Sequence, residues 1–173
     1  MTRQALETRV RVLLWFFIVA LLLSGITAFP LEWELRVLNQ WVNGFGSPLM
    51  AWWPAMSAWI ALVNEGIQNT ARQYPFIAYG TDWLAFAHIV IAIAFWGPLK
   101  DPVRNIWIIE WGMIACVLVI PLALIFGPMR GIPFFHRLID CLFGILGIIP
   151  LWICWHTIRP IAEPTTNATL NSA

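Results

Sequence analysis

IWIIEWGMIACVLVIPLALIF, residues 106–126, has twenty-one positions and a single charged side chain, Glu110. A helix rises about 1.5 Å per residue, so this run covers the roughly 30 Å of a bilayer's hydrocarbon core. A helix that is apolar on every side must be surrounded by protein or by lipid. The run reads as a transmembrane helix, and the chain around it as an integral membrane protein.

Composition agrees. Of the 173 residues, 60% are hydrophobic and 11% charged, against about 45–50% and about 25% in a soluble domain. A net charge of +1 lacks the basic surplus of a nucleic-acid-binding surface, so nucleic acid is not an expected partner. The twelve tryptophans suit a membrane protein, because indole collects where its ring meets lipid and its N–H meets water.

Working outward, three more runs are expected to cross. The first is 12–29, whose polar groups are only Ser24 and Thr27, and which follows Arg3, Arg9 and Arg11. Ile26-Thr27-Ala28 is a poor signal-peptide cleavage site, and the run exceeds the about 7–15 residues of a signal core, so an uncleaved anchor is expected. The others are 82–98, stopped by Gly97-Pro98, and 138–157, which contains Pro150. The run quoted above is extended to 103–126, because Asp101-Pro102 offers an N-cap acceptor followed by a first-turn proline. Pro121 cannot donate to the Val117 carbonyl, which predicts a kink. The expected fold is an all-α four-helix transmembrane bundle, one polytopic domain over 1–159, with a disordered polar tail over 160–173. Asn167-Ala168-Thr169 in that tail matches a glycosylation acceptor but falls on the predicted inner side.

The long connection 31–81 is expected to form an interfacial helical cap on the extracytoplasmic side. Met56, Trp59, Ile60, Val63 and Ile67 recur at helical spacing, with Ser57, Asn64, Gln68 and Arg72 on the other side, as in a helix lying in the interface. A shorter helix fits 33–42. A fifth span or re-entrant segment over 48–63 is the alternative, broken by Pro54. Charge does not choose: Arg3, Arg9, Arg11, Lys100, Arg104 and Arg159 fall on one side and Arg36, Arg72, Arg130 and Arg137 on the other, and a fifth span leaves the same split. The four-span reading sorts the tryptophans into two belts. Trp15, Trp96, Trp107, Trp111, Trp152 and Trp155 form the inner one; Trp33, Trp41, Trp52, Trp53, Trp59 and Trp83 form the outer one. Small size and a basic N-terminus point to a bacterial inner (plasma) membrane with the N-terminus cytoplasmic.

Charge at membrane depth is costly, so it marks where function is sought. Asp82, His88, Arg130, His136, Arg137 and Asp140 all fall near the outer ends of the spans. Arg137, Asp140, Gly144, Gly147 and Leu151 share one face by three-and-four spacing, with Arg137–Asp140 expected as a rim ion pair above glycines that admit a neighbouring helix. His136 is also within reach of Asp140. His88, on a face with Leu84, Ala85, Ala92 and Phe95, is expected to hydrogen-bond between helices. Glu110 is expected to pair with an N-terminal basic residue or Arg159, or to relay protons. Cys116, Cys141 and Cys154 are scattered with no C-x-x-C, so no metal site is expected. Cys141 and Cys154 are separated along one helix by about 20 Å and cannot pair.

Arg130, five residues, His136, three residues, then Asp140 resembles the third motif of the type 2 phosphatidic acid phosphatase superfamily, which also leads into a membrane helix. The resemblance implies that Arg130 binds phosphate, His136 is the nucleophile and Asp140 orients it. Met129 stands where that family has Ser, and its two earlier motifs have no counterpart here. Asp82 and His88, with Arg137, Asp140 and Gly144, also look like the VanZ-like membrane family, which implies four spans and no particular activity. Haem b between two histidines is a further reading, for which His88, His136 and His156 are the candidates. No cofactor is otherwise expected. The leading expectation is a non-enzymatic multi-pass protein that binds lipid or a small ligand, or supports membrane-protein partners or its own oligomer. An enzyme on an anionic lipid at the outer rim is the alternative, and a small transporter the third.

Overall fold

The computed structural model describes residues 3–170, and side chains over 6–160. Among the described residues every element is helical and there is no strand. In chain order these are α1 (Arg3–Ala28), α2 (Leu31–Asn43), α3 (Ser47–Met50), α4 (Pro54–Gln73), a 3-10 turn (Pro75–Ala78), α5 (Tyr79–Ala94), α6 (Trp96–Lys100), α7 (Ile106–Met129) and α8 (Phe134–Leu170). The backbone of α8 continues into the polar tail as far as Leu170. Residues 171–173, the end of the segment expected to be disordered, lie outside the described residues, as do the side chains of the Asn167 acceptor sequence.

Among the described residues, four helical segments are long and apolar enough to cross a membrane: Leu6–Ala28, Pro75–Lys100, Ile106–Met129 and Phe134–Pro160. The helix α4 has twenty residues but is not among them, because Asn64, Glu65, Gln68, Asn69 and Arg72 make it too polar overall. Only 22% of the apolar stretch of α7 and 28% of that of α8 is buried inside the protein. Val117, Leu118, Leu122 and Ile125 on α7, and Phe143 and Leu146 on α8, point outward. Left in water, such faces would cost about 25 cal/mol for every Å²; in lipid they cost nothing. No polar or charged side chain is fully buried among the described residues.

The boundaries differ from the sequence reading: the first two spans begin earlier than 12 and 82, and three further differences have a local reason. Asp101 does accept the Arg104 N–H (3.0 Å), as a cap should. But Asn105 then donates to the carbonyls of Gly97 (3.2 Å) and Asp101 (2.9 Å), holding 101–105 as a turn, and α7 begins only at Ile106. Gly97-Pro98 does not stop its span: Pro98 sits in the first turn of α6, where a missing N–H costs little. The last helix begins at Phe134, ahead of Leu138, because the Pro133 carbonyl accepts the N–H groups of His136 (3.1 Å) and Arg137 (3.2 Å).

The chain divides into two compact units, Met1–Ala20 with Ala92–Ala173, and Leu21–Ile91. In the first, α7 packs on α8. Gly144 on α8 faces the Cys116 carbonyl of α7 so closely that an added Cβ would collide with it. Leu151 is fully buried on the same face, so the small-residue stripe does receive its neighbour. Phe95 is fully buried, with its ring 4.7 Å from that of Phe17 and against α7 at Gly112. Lys100 lies over Trp96 (5.8 Å) and Arg159 over Trp155 (4.8 Å), the arrangement of stems in lipid and charges in water.

In the second unit, α2 packs on α4. Arg36 donates to Glu32 Oε1 (2.9 Å) and to Gln68 Oε1 (3.0 Å), while Gln68 Nε2 donates to the Glu32 carbonyl (2.9 Å). Gln68 therefore faces α2, contrary to its expected place on the solvent side, because one amide meets both a donor and an acceptor there. Ala85 of α5 is fully buried where Gly25 of α1 approaches its carbonyl.

Candidate functional site

The α7–α8 turn is shaped by backbone chemistry. Gly131 takes φ +70°, which its missing Cβ permits. Its N–H reaches the Pro128 carbonyl (3.1 Å), and the Ile132 N–H reaches that of Gly127 (2.9 Å). This paired return is the Schellman ending, which satisfies the last carbonyls of α7. Pro133 then leads into α8, so four residues, 130–133, reverse the chain with little freedom.

Two arginines flank this reversal. Arg130 caps α7 and is exposed. Arg137, in the first turn of α8, lays its stem across Gly127, where an added Cβ would strike its Cγ and Cδ. Its guanidinium lies over the Phe134 ring at 5.2 Å. Its Nε is enclosed and meets no acceptor. The expected Arg137–Asp140 pair does not form. Side chains on a helix lean toward its N-terminus, so Arg137 leans to the turn and Asp140 leans back onto His136. His136 Nε2 and Asp140 Oδ1 are 3.9 Å apart, an ion pair only when the imidazole is protonated. The side chains of both are well exposed, at 38% and 41%.

Glu110 accepts a hydrogen bond from Trp155 Nε1 at 2.9 Å, an indole in place of the expected basic residue. Arg159 lies over the ring of the same tryptophan. A donor at the edge of lipid has few acceptors to choose from, and Glu110 is the one within reach.

Asp82 and His88 belong to the other unit. His88 Nδ1 meets its own helix at the Leu84 carbonyl (2.8 Å); since a carbonyl only accepts, Nδ1 carries the proton. The expected interhelical bond is therefore replaced by an intrahelical one. Asp82 lies in an open groove of about 310 Å³ with Phe29, Tyr79, Trp83 and Phe86. Sequence reading singled out Asp82 but missed its rings, although Tyr79, Trp83 and Phe86 recur at four and three residues around it.

His136 and His156 lie twenty residues apart on α8, about 30 Å of rise, and cannot clasp one haem between them. Among the described residues no three His, Cys, Asp or Glu side chains gather as metal ligands. The three cysteines are buried and free. No family model, curated protein or solved structure matches the chain.

Proposed function

We propose that the chain is a multi-pass membrane protein that binds an anionic lipid head group at the α7–α8 turn. The enclosed, unaccepted Nε of Arg137 carries this reading. Leaving such a donor unpaired costs about 1–3 kcal/mol, more when it is charged. With no acceptor from the chain, the same guanidinium can take a phosphate oxygen from outside through its terminal nitrogens, which are not enclosed, and Arg130 adds a second guanidinium with no carboxylate partner among the described residues. The reading needs no cofactor and makes membrane lipid the partner.

The test is thermal unfolding in detergent with added phosphatidylglycerol or phosphatidylcholine of the same acyl chains. Phosphatidylglycerol at a hundredfold over its dissociation constant should stabilise by about 2.7 kcal/mol, and Arg137→Gln should remove most of that. A full response to phosphatidylglycerol in Arg137→Gln, or none in the wild type, overturns the site. The second reading, a lipid-phosphate enzyme, is favoured by the His136–Asp140 pair behind Arg130. Phosphate released from phosphatidic acid by the wild type, and lost in His136→Ala, would replace binding by catalysis.

We also propose an inner-membrane orientation with the N-terminus in the cytoplasm and α2–α4 as an interfacial cap on the opposite face. Arg9 and Arg11 at the N-terminal end of the first span and the two tryptophan belts support it. Single cysteines placed at Glu65 and at Pro160, in a chain with Cys116, Cys141 and Cys154 replaced by Ala, should be labelled from opposite sides of sealed vesicles by an impermeant maleimide. Labelling from one side would sink this topology.

A further inference from the structure

Tyr79, Asp82, Trp83 and Phe86 follow one another at three- and four-residue spacings on α5, so they share a face. Phe29, beyond the end of α1, closes the groove they line. The ring pairs Tyr79–Trp83 (6.0 Å) and Trp83–Phe86 (5.8 Å) meet edge to face, so in each pair the ring that presents its edge has neither face covered by the other. Asp82 is the one charged residue lining the groove. It is half-buried, and among the described residues it has no hydrogen bond or ion pair. Arg36, a cation of the same unit, is committed to Glu32 and Gln68.

A carboxylate set among aromatic rings discriminates sharply between occupants. An anion is repelled by the carboxylate and by the negative ring faces alike. An apolar group would strip water from Asp82 and return nothing. An alkylammonium group satisfies both, since the carboxylate and the ring quadrupoles attract the same charge. The volume lies at the small end of ligand sites, which begin at about 300 Å³. Beside the groove, Leu23 and Ile26 of α1 and Val90 of α5 are exposed, giving an acyl chain an apolar surface to follow.

We propose that this groove binds the alkylammonium head group of a membrane lipid. It does not depend on the Arg137 site, whose charge preference is the reverse, so the two can fail separately.

The full-length protein, stripped of lipid in detergent, would be titrated with phosphatidylcholine, phosphatidylethanolamine and phosphatidylglycerol of equal chain length, with bound lipid read by native mass spectrometry. Asp82→Asn should weaken retention of the two ammonium lipids about tenfold and leave phosphatidylglycerol unchanged. Asp82→Glu should keep most of the wild-type preference. Trp83→Leu should weaken phosphatidylcholine similarly, and it serves as the deciding variant should Asp82→Asn fail to fold. Unchanged retention in Asp82→Asn and Trp83→Leu overturns the site. Complete displacement of lipid by an equal concentration of tetramethylammonium overturns the lipid assignment.

Discussion

Gly144→Val is expected to destabilise the α7–α8 pair by on the order of 3 kcal/mol, the upper end of overpacking costs. A Cβ at Gly144 would collide with the Cys116 carbonyl oxygen. That atom belongs to the backbone of α7, so it cannot swing aside as a side-chain tip can. The helices would have to part along the stripe that also buries Cys116 and Leu151. In lipid nothing apolar is regained by separating them more gently, because helix association rests on van der Waals contact rather than on escape from water. Gly144→Ala should already cost a substantial part of this. The measurement is unfolding of the purified protein by added sodium dodecyl sulfate in mixed micelles. A valine variant within about 0.5 kcal/mol of wild type, the range of an inert surface change, would mean that the helices do not approach so closely.

Phe95→Ala should have a comparable effect through the opposite defect. Phe95 is 0% exposed, packs against Phe17 with ring centroids 4.7 Å apart, and rests against α7 where Gly112 leaves room for its ring. Truncating a buried phenylalanine costs about 3–5 kcal/mol in water-soluble cores. Here the lower end is expected, since the unfolded helices remain in lipid and only the packing and cavity parts persist. Phe143→Ala is the control: Phe143 is 68% exposed and faces lipid in both states. Equal losses for the two variants would remove Phe95 from the core. Because Phe17 is on α1, the larger loss should be accompanied by easier proteolysis of the α1 end of this unit.

Much of the candidate site was legible only as a set of residue types. The spacing of Arg137 and Asp140 suggested a pair, yet the lean of helical side chains sends Arg137 to Gly127 and Phe134 and gives Asp140 to His136. Glu110 looked like the partner of a basic residue, but a nearby indole N–H takes it. Spacing reports which residues share a face. It does not report which neighbour on another helix reaches that face first.

The four membrane-length helices follow from sequence alone, because crossing a bilayer demands only a long enough run with few charges, a property of consecutive residues. The small-residue stripe of α8 was equally readable, since helical periodicity is local. Tertiary structure decided the rest: the start of α7 at Ile106, set by Asn105 reaching Gly97, the unaccepted Nε of Arg137, and the gathering of Phe29 with the rings around Asp82. Each of these depends on atoms brought together by folding, several from distant parts of the chain. Hydropathy and periodicity, which average over neighbours along the sequence, carry no record of such meetings.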